Sequence, residues 1–209
     1  MKILFFTREY PPNVYGGAGV HVEYLAKELA KLTSLEVRCF GEQDEEQTNL
    51  KVKGFDFSAA NFQEAPKNLQ SVFSVLQTCL QMNVKPADFN LVHCHTWYAQ
   101  FAGILAKLCY GVPLVITTHS LEPLRPWKRE QLGRGYDVSS WIEKTALEMA
   151  DAIIAVSEGT KQEVLEHFNV AEEKIEVIYN GIDLKQYIPV TEKNILEKYH
   201  INANQPYEL

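Results

Sequence analysis

Short apolar runs alternate with helically spaced apolar residues along most of the 209 positions. Residues 3–6, Ile-Leu-Phe-Phe, read as a first strand. Over residues 20–32, Tyr24, Leu25, Leu29 and Leu32 share one stripe while Glu23, Lys27 and Lys31 turn outward, the repeat of an amphipathic helix. Residues 35–40 and 51–57 read as the next two strands, and the acidic run 42–46 between them as a solvated loop. Leu69, Val72, Phe73, Leu76 and Leu80 recur at helical spacing and predict a core-facing stripe. Four further strands fall at 91–95, 114–118, 152–156 and 175–179, each but the last followed by a helical pattern. Strands alternating with helices in this way predict an α/β fold with a doubly wound parallel sheet covered on both faces. Beyond it, 180–183 reads as a turn, 191–199 as a short helix and 201–206 as a linker, so the chain is expected to lead into a further domain.

Polar and reactive residues gather where the strands end: at 7–17, 95–97, 119–125, 157–159 and 180–183. In an open α/β sheet the ligand crevice lies beyond the carboxyl ends of the strands, so these clusters are expected to converge on one rim.

Composition narrows the classes of function. A formal charge of -7 and a pI near 5.4 argue against nucleic-acid or anionic-membrane surfaces, because nothing global offsets phosphate repulsion. Cys39, Cys79, Cys94 and Cys109 form no C-x-x-C pair, which fits reduced core thiols. The first strand reaches Arg8 and Glu9 too soon for a signal peptide, and no apolar run approaches membrane-spanning length, so a cytoplasmic protein is expected.

The glycine-rich turn Tyr15-Gly16-Gly17-Ala18-Gly19 joins the first strand to the first helix, an architecture suited to an anion at a helix amino terminus. Its spacing is neither the dinucleotide fingerprint nor a Walker loop. His93 and His95 lie on one side of a strand, but the neighbouring rim offers no obvious carboxylate or thiolate trio to complete a metal's coordination, so a core His93 and a rim His95 are favoured over a metal pair. His95-Thr96-Trp97-Tyr98 suits a carbohydrate, with rings stacking on sugar faces; the alternative is that Trp97 packs the next helix. His119, beside Ser120 and Glu122 at a strand end, suits a substrate hydroxyl. Arg125, Lys128, Arg129 and Arg134 form a basic stretch for an anion or sugar polymer, or a solvated lid. Glu143 reads as a surface or buried hydrogen-bonding carboxylate, and Ser157 as an N-cap. No nucleophile motif and no paired carboxylates are present in the sequence.

In order, Arg8-Glu9-Tyr10-Pro11-Pro12, Tyr15 through Val22, His93 through Tyr98, Thr118 through Trp127, Ile154 through Ser157 and Asn180 through Asp183 resemble the amino-terminal domain of a GT-B glycosyltransferase. The strings are most similar to bacterial glycogen synthases of the glycosyltransferase-4/5 group. The resemblance implies a Rossmann-like sheet over 1–209, the acceptor-side half of a two-domain retaining enzyme, with 184–209 leading to a carboxyl-terminal nucleotide-sugar domain. It implies glucose transfer from ADP-glucose to an α-1,4-glucan. A maltose-1-phosphate synthase or a transferase with a lipid or small acceptor is the alternative, and a stand-alone sugar-binding module a third reading. Carried over by motif, Gly16 and Gly17 would approach the donor diphosphate and His119 would act catalytically at the transferred glucose. Glu9, Tyr10, His95, Trp97, Tyr98 and Arg134 would serve the acceptor. No metal and no cofactor besides the donor substrate are implied. Thr96 stands where many glycogen synthases have Asp. The family's main donor motifs are expected in the second domain, so the isolated chain is expected to be inactive.

Overall fold

The computed structural model describes residues 1–85, 88–188, 196 and 198–202. Two compact units are Met1–Tyr179 and Asn180–Leu209. In the second, the Asp183 carbonyl accepts from the Gln186 and Tyr187 amides, and its carboxylate accepts from the Lys185 amide at 2.8 Å. The helix expected at 191–199 and the linker at 201–206 lie largely outside the described residues.

The first unit is an eight-stranded sheet in the order β3-β4-β2-β1-β5-β6-β7-β8. The strands are β1 (Lys2–Phe6), β2 (Ser34–Phe40), β3 (Asp44–Gln47), β4 (Leu50–Phe55), β5 (Leu91–His95), β6 (Leu114–Thr118), β7 (Ala152–Ala155) and β8 (Ile175–Val177). Every pairing is parallel except that of β3 with β4. The helices are α1 (Gly17–Ala30), α2 (Lys67–Met82), α3 (Trp97–Tyr110), α4 (Lys128–Leu132), α5 (Gly135–Met149) and α6 (Glu158–His167). From β1 the chain winds outward through β2 and β4, then returns to β5 on the other side of β1 and winds the opposite way. The strand order therefore reverses between β1 and β5, the place where such sheets open a ligand crevice.

Alternation along β1 builds the two cores. Leu4 and Phe6 join residues of α2, α3 and α5, while Ile3 and Phe5 join Val22 and Ala26 of α1. All of these side chains are nearly or wholly buried, as expected of a central parallel strand covered on both faces.

Several details differ from the sequence expectations, among them the strand expected at 51–57, which is Leu50–Phe55. The acidic run is not a loop: Asp44–Gln47 pairs as an exposed edge strand, with Asp44 opposite Lys53 and Glu46 opposite Lys51, so cross-strand charge complementarity offsets the poor strand propensity of acids. Helix α1 stops at Ala30, which leaves Leu32 off the stripe and 83% exposed. The buried face of α2 runs through Val72, Val75, Cys79 and Met82, and Leu80 is 54% exposed. Ser74 and Thr78 are buried on that face because their hydroxyls donate to the carbonyls of Gln70 and Ser74, each at 2.9 Å, which satisfies them within the helix. Strand β8 ends at Val177, and Ile178 and Tyr179 are exposed. Cys39, Cys79 and Cys94 are free and buried, Cys109 free and exposed. Among the described residues no helix is long and apolar enough to cross a membrane.

Candidate active site

Three segments distant in sequence bring histidines together at the carboxyl rim beside the β1/β5 reversal. His95 is the last residue of β5, His119 follows β6, and His21 lies in the first half of α1. His95 Nδ1 lies 3.4 Å from His119 Nε2. The His21 ring centroid lies 4.8 Å from that of His119 and 5.6 Å from that of His95. His93, one layer down, bonds Thr117 Oγ1 at 2.7 Å and meets the edge of Phe5, so it is the satisfied core histidine its position predicts.

Burial sets the charge of this group. Desolvation, aided by the neighbouring imidazoles, lowers His119 to about 4 and His93 to about 3, and pushes His95 well below the ordinary histidine range. At neutral pH these rings are neutral, and each offers one N–H donor and one lone pair, the complement of a sugar hydroxyl. One ring nitrogen from each of His21, His95 and His119 also lies within 4.8 Å of the others, a spacing that could hold a metal ion. The fold thus gathers a different set from the His93–His95 pair weighed in the sequence, and no carboxylate among the described residues joins the trio.

The β5–α3 junction carries unmet bonding capacity. His95 Nε2, Thr96 Oγ1, Trp97 Nε1 and Gln100 Oε1 are buried without hydrogen-bond partners. Thr96 sits at φ 65 and ψ 156, a conformation that side-chain-bearing residues rarely adopt. Strain and unsatisfied polar atoms gathered at one rim mark it as a candidate ligand site.

The glycine loop is already partly occupied by the chain itself. Glu9 Oε2 accepts from the Gly16 amide at 2.8 Å and the Tyr15 amide at 3.1 Å, and so supplies the anion that the amino terminus of α1 attracts. A Cβ on Gly19 would lie 2.7 Å from Glu9 Oε2, so glycine there makes room for the carboxylate. A Cβ on Gly17 would meet nothing within 4 Å. Of the two glycines expected at the donor diphosphate, Gly16 spends its amide on Glu9 and Gly17 faces open space.

The aromatic residues divide. Tyr10 is buried against the α1-side core, and burial pushes its hydroxyl up to about 12. Trp97 is 5% exposed, belongs to the opposite core and stacks on Tyr98 at 4.1 Å. It therefore packs α3, the second of its two readings, and presents no open face. Tyr98 is half-buried, and its ring lies 3.9 Å from the Arg8 guanidinium carbon.

Two of the four cations in the basic stretch are neutralised. The Lys128 ammonium pairs with buried Glu122, and Arg129 with Asp137. Glu122 also accepts from Ser139 Oγ at 2.8 Å, and its amide donates to Glu143 Oε2 at 2.6 Å. Burial raises Glu143 to about 8, so it is the buried hydrogen-bonding carboxyl, held mostly protonated, that ties the loop after His119 to α5. Arg134 is exposed at the start of α5, and the flanking Gly133 and Gly135 pack against Asn68 and Val72 of α2. Ser157 caps α6 as read, accepting from the Thr160 amide at 3.1 Å.

A groove of about 700 Å³ opens at the amino ends of β1, β2 and β4, but its Lys2 and Arg38 are paired with Asp88 and Glu36. The rim bearing the histidines combines the strand-order reversal with unpaired polar chemistry, and it is the candidate site.

A family model described as Glycosyltransferase Family 4 matches residues 15–186. Alpha-maltose-1-phosphate synthase of Mycolicibacterium smegmatis is 41% identical over 210 residues, covering 99% of this chain and 52% of that protein. Glycogen synthase of Mycobacterium tuberculosis is 29% identical over 210 residues, covering 90% of this chain and 50% of that protein. The chain thus spans about half the length of the curated relatives it matches. Among solved structures, sucrose-phosphate synthase from Thermosynechococcus elongatus superposes with a TM-score of 0.73 at 16% identity, covering 99% of this chain and 54% of that one, which is a likeness of fold.

Proposed function

The chain belongs to glycosyltransferase family 4, and from that premise we propose that it is the acceptor-side half of a glucosyltransferase that moves glucose from ADP-glucose to glucose 1-phosphate, giving maltose 1-phosphate. The observation that carries this reading is the 41% identity to a maltose-1-phosphate synthase across 99% of the chain, against 29% to a glycogen synthase. The site supports it. Trp97, one of the two rings read as stacking on a glucan, is buried and offers no face, and a small acceptor makes no such demand.

In the proposed reaction the bond from the glucosyl anomeric carbon to ADP breaks, a bond to an acceptor hydroxyl forms, and the hydroxyl proton leaves with the ADP. His119 would bond a hydroxyl of the transferred glucose. Its neutrality suits the step, because an imidazolium there would oppose the positive charge developing at the anomeric carbon. Gly17 would lie against the donor diphosphate, and His95 and Tyr98 would border the acceptor.

Elongation of an α-1,4-glucan is the second reading, supported by the glycogen synthase relative. The test is kcat/KM of the complete enzyme carrying this chain, with ADP-glucose and either glucose 1-phosphate or maltooligosaccharides. The proposal requires the phosphorylated acceptor to be used at least about 100-fold better, close to 3 kcal/mol of discrimination. Preference for the oligosaccharide would replace it with the second reading.

A further inference from the structure

Arg8 has no part in the reaction as described above, yet three separate segments hold it at the carboxyl end of β1. Its guanidinium carbon lies 3.9 Å from the Tyr98 ring centroid, 5.1 Å from Tyr15 and 5.8 Å from Phe57. These rings come from the start of α3, the glycine loop and the segment after β4. Among the described residues Arg8 has no carboxylate in ion-pair contact and its side chain makes no hydrogen bond. Arg38 is paired with Glu36, Arg129 with Asp137 and Lys128 with Glu122, whereas Arg125 and Arg134 share with Arg8 the lack of an ion pair among the described residues but not its aromatic cradle. Glu9, the neighbour in sequence, spends its carboxylate on the Tyr15 and Gly16 amides.

A guanidinium held by aromatic faces keeps its in-plane N–H groups, and their fork matches two oxygens of a phosphate. The stacking also restricts the side chain before any ligand arrives, which lowers the ordering cost of binding. Helix α3 begins one residue before Tyr98 with no side-chain cap from Thr96, so its first-turn amides add favourable potential beside the same cation. At the glycine loop an incoming dianion meets the Glu9 carboxylate; at Arg8 it meets an uncompensated positive charge.

We propose that Arg8 is the specificity-determining residue that receives the phosphate of the acceptor and selects a sugar phosphate over a neutral sugar, an inference that rests on the glucose 1-phosphate reading above. The assignment is to a different residue from Arg134, the cation expected at the acceptor from the sequence. A donor diphosphate is the other oxyanion the same chemistry could hold, and the experiment separates the two.

The test is steady-state kinetics of the complete enzyme with Arg8→Met, which keeps the length and removes the charge, and Arg8→Lys, which keeps the charge and removes the fork. Arg8→Met is expected to raise KM for glucose 1-phosphate by roughly 30-fold or more, with KM for ADP-glucose within about threefold of wild type. Arg8→Lys should recover part of the loss. Inorganic phosphate should compete with glucose 1-phosphate in the wild type and compete less well in Arg8→Lys, a readout that stands even where Arg8→Met fails to fold. An unchanged KM for glucose 1-phosphate in folded Arg8→Met, or a rise confined to ADP-glucose, overturns the assignment while leaving the glucose 1-phosphate reading intact. A wild-type enzyme that ignores glucose 1-phosphate and extends glucans overturns the reading and Arg8's role together.

Discussion

His95 Nδ1 and His119 Nε2 face each other at 3.4 Å with their rings 27° from parallel, although 24 residues separate them in the chain. One proton at most occupies that gap, so the two rings cannot both be protonated, and burial keeps both neutral. The contact forms because β5 and β6 are adjacent parallel strands with His95 in register with Thr117, and the chain reaches His119 two residues further on.

His119→Ala is expected to lower kcat of the complete enzyme by about 100-fold or more while changing the KM for ADP-glucose little, because the proposed bond strengthens as charge develops at the anomeric carbon. Steady-state kinetics with a folded variant is the check. A kcat near that of wild type would return His119 to a packing role.

The buried histidines make stability depend on pH in a definite direction. An unfolded histidine takes up a proton near 6.5, whereas folded His119 does so only at about 4. Between those values the unfolded chain binds more protons, so stability is complete above about 6.5 and falls as the pH drops toward 4. At pH 5 the loss from His119 is about 2 kcal/mol. Urea unfolding at pH 7 and pH 5 should show His119→Gln losing less stability than wild type on acidification; equal losses would refute the neutral buried state.

Glu143 carries the opposite sign. Its folded value of about 8 lies above the ordinary 4.5, so the stability associated with its protonated form declines as pH rises through that interval. Glu143→Gln, which keeps an acceptor for the Glu122 amide, should therefore gain stability relative to wild type between pH 6 and pH 9. Glu143→Ala, which strands that amide, should cost about 1–3 kcal/mol at any pH. Thermal melts of both variants across the range decide it, and a glutamine variant that loses ground at alkaline pH would contradict the assignment.

Trp97→Ala should act on folding before it acts on substrate, destabilising by about 3–5 kcal/mol because a core ring is removed. A variant of wild-type stability whose only defect is weak oligosaccharide binding would restore the sugar-stacking reading.

The sheet was legible because its strands are apolar runs that end abruptly in polar clusters, from Phe6 into Thr7, His95 into Thr96 and Thr118 into His119, and those junctions do form one rim. Edge strand β3 was not, since Asp44 and Glu46 pair with Lys53 and Lys51 only once β4 lies beside them. Trp97 was ambiguous because a ring at a strand end has the same local pattern whether it packs inward or faces a ligand. The histidine group needed His21, His95 and His119 from three elements, and the Arg8 stack needed Tyr15, Phe57 and Tyr98 from three more segments. Spacing along the chain carries no trace of either. The same holds for Glu9, whose contacts with the amides of residues 15 and 16 depend on how the intervening turn folds back.

The most direct measurement is the identity of the product. The complete enzyme carrying this chain is incubated with ADP-glucose and glucose 1-phosphate and followed by phosphorus NMR. Loss of the glucose 1-phosphate resonance with appearance of a new disaccharide phosphate and free ADP, in equal amounts, is the predicted result. An unchanged glucose 1-phosphate resonance, with ADP released only when a glucan or another acceptor is added, would contradict it.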